Sequence, residues 1–179
     1  MTFPGLLFPA GSCYDDIRNK ENAKLCPEDY NMKEEDQMDL LKQENVQIID
    51  QVSDWKEAIR QSVAPLEKGG YVQSCYKEEI IKNADELGPY FVISEKIAIP
   101  HARPEQGVNE SQLAITLYKE PIVFSEKWKN VRLFIALAAK DGNSHLDALR
   151  KITEVLQNPE TIQKIIEANT EEKIYEYFQ

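Results

Sequence analysis

Two histidines are the residues best suited to chemistry in this sequence, and the chain contains no others. His101 lies between Pro100 and Pro104, which fix their own φ angles and bias the residues before them away from helix. A stiff, extended segment is therefore expected to present His101 from the end of a short apolar strand. A neutral imidazole, with an ordinary pKa of roughly 6.5, is a good nucleophile, and Arg103 could hold an anion delivered to it. These residues indicate a histidine that accepts a phosphoryl group and passes it on.

The second histidine, His145, follows another hydrophobic segment, residues 133–139, and a turn at residues 141–144. Because both histidines follow predicted strands, we expect their side chains to meet at one site. A plainer interpretation stays open on the residues alone. His101 could fill space in a loop, His145 could be a polar residue at a helix start, and Arg103 could be a solvated cation.

Other kinds of chemistry have little support in the sequence. The two histidines and an acid such as Asp141 make only a weak zinc site, so we predict no metal. Cys13, Cys26 and Cys75 form no CxxC pair, and their odd, sparse count suits a reducing cytoplasm. There is no P-loop, dinucleotide fingerprint or Ser-His-Asp motif, so no cofactor is implied and phosphate should arrive from a protein.

Charge and hydropathy limit the classes of partner. The 179 residues include 21 Lys and Arg against 31 Asp and Glu, which gives a formal net charge of −10. This balance argues against nucleic acid or an anionic membrane as partner and favours a basic protein. The longest apolar run, residues 133–139, is far shorter than the roughly 18 residues of a membrane span. We therefore expect a soluble, cytoplasmic protein without direct membrane insertion.

The chain divides at about residue 31. Residues 1–31 show no helical or alternating period and are interrupted by prolines and glycines, so we expect an N-terminal extension whose status the sequence leaves open. It lacks the basic start and the longer apolar stretch of a signal peptide. Residues 32–179 have the length and composition of one domain with a real core.

Hydrophobic periodicity and capping residues predict the elements of this domain. Residues 40–41 are interpreted as a short amphipathic turn, and a first or edge strand follows at 46–50. The remaining predicted elements are a helix capped by Ser53 and ending at Lys68, a helix at 75–86 capped by Ser74, strands at 90–93, 96–99, 112–118 and 131–139, and helices that begin at Ser144 or His145, at Pro159 and after Thr170.

The order of these elements predicts an α/β fold with a layered mixed β-sheet flanked by helices on both faces. The segment 131–139 is hydrophobic almost without interruption, as a strand covered on both faces requires, so it should be central. The segment 112–118 alternates and is predicted to be half-buried.

Three segments in a fixed order carry a family resemblance. They are Gly88-Pro89-Tyr90-Phe91, then Pro100-His101-Ala102-Arg103-Pro104, and then Leu137-Ala138-Ala139-Lys140-Asp141 followed by His145-Leu146. Over about residues 40–178 the chain resembles the mannitol/fructose-type family of enzyme IIA components of the bacterial phosphoenolpyruvate:sugar phosphotransferase system. The first two segments most resemble the ascorbate-type members.

The resemblance implies a phosphotransferase with a phosphohistidine intermediate. His101 would accept phosphate from the phosphohistidine of the carrier HPr and pass it to a cysteine of enzyme IIB, for uptake of a carbohydrate such as ascorbate or a pentitol. His145 would hydrogen-bond the phosphoryl group or fix its geometry. A homodimer is one assembly that this assignment allows.

One departure from the family pattern concerns the cation at the site. Mannitol-type members carry an arginine sixteen residues before the active histidine, and Asp85 stands there in this chain. Arg103 is the nearest replacement, as in the ascorbate-like pattern. Glu105 is a further candidate, which could orient an imidazole or Arg103, although acidic loop residues are usually solvated.

The partners are expected to dock on a concave, largely apolar rim around His101. Candidates for this rim are Tyr90, Ile97, Ile99 and Val108, each of which also suits the core. Two other functions remain open. The same fold could serve as a regulatory module in which phosphorylation of His101 is a signal, or, with weaker support, as a metal-binding domain.

Overall fold

The computed structural model describes residues 40–179. The predicted extension at 1–31 and the predicted domain start at 32 lie outside these residues. The elements are β1 (Leu41–Ile49), α1 (Trp55–Lys68), α2 (Tyr76–Leu87), β2 (Ile97–Ala98), a 3₁₀ turn (Pro104–Gln106), β3 (Gln112–Ile122), β4 (Val131–Ala138), α3 (Gly142–Leu156), α4 (Pro159–Ile166) and α5 (Glu171–Glu176). None of the helices in this part of the chain has the length and apolar character needed to cross a membrane.

Within the described residues, the four strands form one mixed sheet in the order β1-β3-β4-β2. β1 runs parallel to β3, β3 runs antiparallel to β4, and β2 runs parallel to β4. β4 is central, as its hydrophobic sequence predicts. β3 is central as well, and residues 112–118 are all buried, so the predicted half-burial of this segment is wrong.

A helical layer on each face of the sheet explains the burial of β3. On one face Ala114 and Tyr118 pack into a core cluster with residues of α1 and α2, such as Ile59 and Ile80. On the other face the alternate residues Leu113, Ile115 and Leu117 pack with α3, α4 and α5 through Ile152, Ile165 and Ile174. The predicted α/β fold, with helices on both faces of a mixed sheet, is confirmed.

The helix caps differ in part from the predicted ones. Asp54, not Ser53, caps α1, and its carboxylate accepts hydrogen bonds from the backbone N–H groups of Lys56 (2.8 Å) and Glu57 (3.0 Å). The Ser53 hydroxyl instead donates to the Asp54 carboxylate. The predicted start of α4 at Pro159 and the predicted cap of α5, Thr170, are confirmed, and Asn158 caps α4.

The predicted starts of α2 and α3 are also wrong. At α2 the cap position is Cys75, which has helical backbone angles and no side-chain cap, so Ser74 lies outside the helix. α3 begins at Gly142 because Asp141 accepts the Ser144 backbone N–H (2.8 Å) while the Ser144 hydroxyl accepts the Asp141 N–H (3.1 Å). This reciprocal capping box starts the helix before the predicted Ser144 or His145.

Two further predictions about strands are wrong. Residues 90–93 form a turn after Gly88, whose φ of 80° is accessible mainly to glycine, and only an isolated bridge joins Val92 to Ala98. Leu41, predicted to lie in a turn, instead begins β1 opposite Leu113.

We expect Asp54→Ala to lower the free energy of unfolding at pH 7 by about 1 kcal/mol, because two backbone N–H groups of α1 lose their acceptor. Ser53→Ala, the matched control, should change it by less than about 0.5 kcal/mol. Urea denaturation of both variants measures this, and equal losses would contradict the assignment of the cap.

The backbone N–H of Glu57 is the largest cause that lowers the pKa of Asp54. The stabilisation by the carboxylate is therefore present above the ordinary carboxyl pKa of about 3.9 and is lost as pH falls through the lower folded-state value. The difference in the free energy of unfolding between wild type and Asp54→Ala, measured by urea denaturation, should therefore become smaller in that acidic range.

Candidate functional site

His101 follows β2, and a hydrogen bond within its own segment fixes its ring. Nδ1 lies 2.7 Å from the backbone oxygen of Ile99. A carbonyl oxygen can only accept, so Nδ1 carries the proton and donates to it. In the neutral ring Nε2 is then the nitrogen with a free lone pair, and the ring lines an open cleft.

The surroundings of His101 favour the neutral imidazole. Burial of the ring lowers its pKa, and the nearby His145 lowers it as well, while the bond to Ile99 acts in the opposite direction. The net effect places the pKa below the ordinary value of 6.5. Nε2 is therefore unprotonated near neutral pH, as a nucleophile must be.

The structure brings the two histidines together. His145 lies in the first turn of α3, and the centroid of its ring is 5.5 Å from that of His101, with 49° between the ring planes. Both rings are partly buried and line the same cleft. The turn capped by Asp141 places His145 there, because it starts α3 directly after the end of β4.

Arg103 is exposed and lines the same cleft. Its guanidinium makes no ion pair with a carboxylate in the part of the chain that the structure describes, so it is available to an anion. Asp85, at the position of the family arginine, does not line the cleft and instead receives a hydrogen bond from Nζ of Lys56 at 2.7 Å. Glu105 is exposed and makes no hydrogen bond to either imidazole within residues 40–179.

The cleft has a volume of about 770 Å³ and lies between the end of α2, the loop after β2 and the start of α3. Its apolar rim differs from the predicted one. Tyr90 lines it, but Ile97 and Ile99 are buried in the core and Val108 packs against the opposite core cluster. Leu87, which the sequence analysis did not include, lines the cleft and is 74% exposed.

Tyr90 positions His101 in a way that the sequence pattern did not reveal. Its hydroxyl donates a 2.5 Å hydrogen bond to the backbone oxygen of His101, and its ring meets the imidazole edge-on at a centroid distance of 5.5 Å. The turn after Gly88 places Tyr90 there. The available signals were the resemblance carried by the Gly88-Pro89-Tyr90 segment and the choice of Tyr90 as a candidate for the rim.

Gln106 was also missed, and no sequence signal singled it out. Its side-chain oxygen accepts hydrogen bonds from the Arg103 backbone N–H (3.0 Å) and from the Asn83 amide (3.1 Å). Its amide nitrogen donates to the Glu79 carboxylate at 2.8 Å. One glutamine thus ties the loop that carries Arg103 to α2.

The site offers little to a metal ion. Among residues 40–179, no three histidine, cysteine or acidic side chains come together in an arrangement that could hold one. The chemistry available to the site is therefore that of an uncharged imidazole with a second imidazole and a guanidinium beside it.

Known proteins are similar to this chain in sequence and in fold. The family model of the phosphoenolpyruvate-dependent sugar phosphotransferase system, EIIA 2, matches residues 39–179. An ascorbate-specific PTS system EIIA component of Mycoplasma pneumoniae is 31% identical over 138 residues, which cover 76% of this chain and 87% of that protein.

Solved structures agree with this match. The mannitol-specific cryptic enzyme IIA CmtB of Escherichia coli superimposes with a TM-score of 0.74 at 28% identity, over 78% of this chain and 95% of that one. The enzyme IIA in a complex of mannitol enzyme IIA with phosphorylated enzyme IIB, also from Escherichia coli, gives a TM-score of 0.67 at 26% identity and covers 78% and 98%.

The comparisons confirm the resemblance found in the sequence and support a transferase role in general. Because the family model spans residues 39–179 of a chain of 179, this chain belongs to the EIIA 2 family of the phosphoenolpyruvate-dependent sugar phosphotransferase system.

Proposed function

We propose that this protein is a phosphocarrier that accepts a phosphoryl group on Nε2 of His101 from an HPr-like phosphohistidine and passes it to a cysteine of an enzyme IIB. The observation that carries the proposal is the hydrogen bond from Nδ1 of His101 to the Ile99 oxygen, at 2.7 Å. It leaves Nε2 as the free nitrogen of a ring that lines a cleft with a second histidine and an arginine.

The proposed transfer balances without a proton moving at Nε2. The Nε2 lone pair attacks phosphorus, and the donor's phosphorus–nitrogen bond breaks with its electron pair returning to the donor imidazole. As Nε2 becomes bonded to phosphorus the ring gains positive charge, and the Ile99 carbonyl stabilises the Nδ1–H that shares it. A thiolate of enzyme IIB then attacks phosphorus, and Nε2 leaves as a neutral nitrogen.

His145 and Arg103 are proposed to hold the phosphoryl oxygens. His145 can donate a hydrogen bond from a ring 5.5 Å away, centroid to centroid. Arg103 presents a planar set of donors that suits an anionic phosphoryl group. The transition state of phosphoryl transfer needs alignment and spread positive charge more than covalent help, which this pair supplies.

The partners are inferred from the rim and from the relatives. Leu87 and Tyr90 at the cleft, and Leu146 beside His145, expose apolar surface of the kind that docking proteins cover. One structural relative is solved in complex with phosphorylated enzyme IIB. Both partners are cytoplasmic in our proposal, and the carrier domain is taken to begin near residue 32.

The carbohydrate served is proposed to be ascorbate or a pentitol. Ascorbate-specific relatives are 26% to 31% identical to this chain and a mannitol-specific cryptic one is 29% identical, so identity does not discriminate between the two. The loop pattern with Arg103 favours the ascorbate-type members. Growth on each carbohydrate, with this gene deleted and then restored, tests the assignment.

We expect wild type to gain one acid-labile phosphoryl group when incubated with phosphoenolpyruvate, enzyme I and HPr, as measured by intact mass. His145→Ala should be labelled more slowly, and His101→Ala should not be labelled, because only His101 supplies the nucleophile. Adding an ascorbate-type enzyme IIB should discharge the label. An unlabelled wild type with a competent carrier would refute the relay, and a label that no IIB removes would favour the regulatory alternative.

The pKa of His101 should lie below 6.5 in an NMR titration of the two imidazoles, because burial disfavours the charged ring. His145→Ala should raise the pKa of His101, since it removes a neighbour that carries positive charge when protonated. Labelling with ¹⁵N should show the proton of the neutral ring on Nδ1. A proton on Nε2 would contradict the assigned nucleophile.

Arg103→Gln should slow phosphoryl transfer from HPr by at least about tenfold, because the developing charge loses a bidentate donor. Arg103→Lys should restore part of the rate. Arg150→Gln is the matched control, since it makes the same change of charge on α3 at a residue that pairs with Asp147. Equal rates for Arg103→Gln and Arg150→Gln would argue against a role for Arg103.

A further inference from the structure

One buried hydroxyl lies between the two chain segments that carry the histidines. The side chain of Tyr76, the first residue of α2, is fully buried. Its hydroxyl donates to the backbone oxygen of Leu137 at 2.7 Å and accepts a hydrogen bond from the backbone N–H of Ala102 at 3.0 Å. Ala102 follows His101 directly, and Leu137 lies at the end of β4, just before the turn into α3.

The hydroxyl occupies a place in the parallel ladder between β2 and β4. In this ladder Leu133 N–H donates to the Lys96 oxygen (2.9 Å), and Leu137 N–H donates to the Pro100 oxygen (3.0 Å). Continuing the same register, the next bond would run from Ala102 N–H to the Leu137 oxygen.

Tyr76 replaces this direct bond with two bonds through its own oxygen. A hydroxyl suits the position because it donates and accepts at once. The inserted oxygen keeps Ala102 and Leu137 further apart than a direct hydrogen bond would. The chain therefore separates from β4 at the residue after His101, where the cleft begins.

We propose that Tyr76 is a positioning residue. Its hydroxyl is inserted between Ala102 and Leu137 and thereby sets the separation of His101 and His145. The functional half of this inference rests on the proposed phosphocarrier role. Without the hydroxyl, either the ladder closes directly or two buried backbone groups lose their partner. In both cases the segment that carries His101 moves relative to the start of α3.

The chemical state of Tyr76 agrees with this role. Burial raises the pKa of Tyr76 to about 12, so the hydroxyl keeps its proton throughout the physiological range. It therefore donates to Leu137 at every pH at which the protein works, and the separation that it sets does not vary with pH.

Tyr118 provides a matched control for Tyr76. It too is fully buried, and its hydroxyl donates a 2.7 Å hydrogen bond to a backbone oxygen, that of Ala58 in α1. The bond from Tyr118 joins β3 to α1 and involves neither chain segment that carries a histidine. Tyr76→Phe and Tyr118→Phe both remove a buried hydroxyl that donates to a backbone oxygen. Only Tyr76→Phe also removes the acceptor of the Ala102 N–H, beside His101.

We expect both variants to lower the midpoint of urea denaturation, and only Tyr76→Phe to slow phosphoryl transfer from HPr, by about 10- to 100-fold. Equal transfer rates in Tyr76→Phe, Tyr118→Phe and wild type would overturn the positioning role. So would a loss of rate in Tyr118→Phe as large as that in Tyr76→Phe, because the effect would then be one of general stability.

A second readout needs no phosphate. The change in the pKa of His101 caused by His145→Ala, measured by NMR, should differ between the wild-type and Tyr76→Phe backgrounds and be unaffected by Tyr118→Phe. If wild type takes no phosphate, the proposed function fails, and this cycle still decides the role of Tyr76. If His145→Ala changes the pKa of His101 equally in the wild-type and Tyr76→Phe backgrounds, the positioning role of Tyr76 is overturned.

A third measurement covers the case in which Tyr76→Phe does not fold. In wild type, the Tyr76 hydroxyl proton should exchange slowly with water and show a nuclear Overhauser effect to the Ala102 amide proton. Absence of that contact in a well-resolved spectrum would overturn the inserted hydroxyl itself.

Discussion

The hydrogen bond from Nδ1 of His101 to the Ile99 oxygen is the interaction on which the rest of the site depends. It fixes the tautomer and the ring orientation, and so decides which nitrogen can act. The bond joins two residues that flank Pro100, which fixes its own φ and disfavours a helical backbone at Ile99. The Tyr90 hydroxyl restrains the same segment through the His101 oxygen. Chain stiffness and hydrogen bonding therefore act together to aim one imidazole.

Burial at the site serves reactivity as well as stability. His101 is covered enough to favour its neutral form, yet the open cleft leaves the ring accessible to a partner. Arg103, which is proposed to hold a phosphoryl group, lies at the exposed edge of this region. Arg103 is exposed, so its charge carries little desolvation cost in the free protein. An uncharged imidazole and a solvated guanidinium can thus lie in one cleft without opposing each other.

The sequence predicted those features that depend on local pattern. The continuous hydrophobicity of residues 131–139 indicated a central strand, and the prolines around His101 indicated an aimed histidine. Local pattern could not choose between Ser53 and Asp54 as a cap, since both residue types cap helices well. Local pattern also predicted wrongly that β3 is half-buried, because alternation along one strand does not show that helices cover both faces of the sheet. Tyr76 bonds to Ala102 and Leu137, which are 26 and 61 residues away along the chain. Gln106 bonds to Asn83 and Glu79, which are 23 and 27 residues away, and no spacing rule reveals such contacts.

The position of Arg103 has a consequence for how the site tolerates motion. Mannitol-type members carry their arginine sixteen residues before the histidine, on a separate part of the chain, and here Asp85 at that position pairs with Lys56. Arg103 instead shares with His101 one short segment between Pro100 and Pro104. The guanidinium and the imidazole thus extend from backbone positions only two residues apart, in one segment that two prolines stiffen. If a partner displaced this loop, the backbone of Arg103 would move together with that of His101, and docking would not have to bring the two residues together.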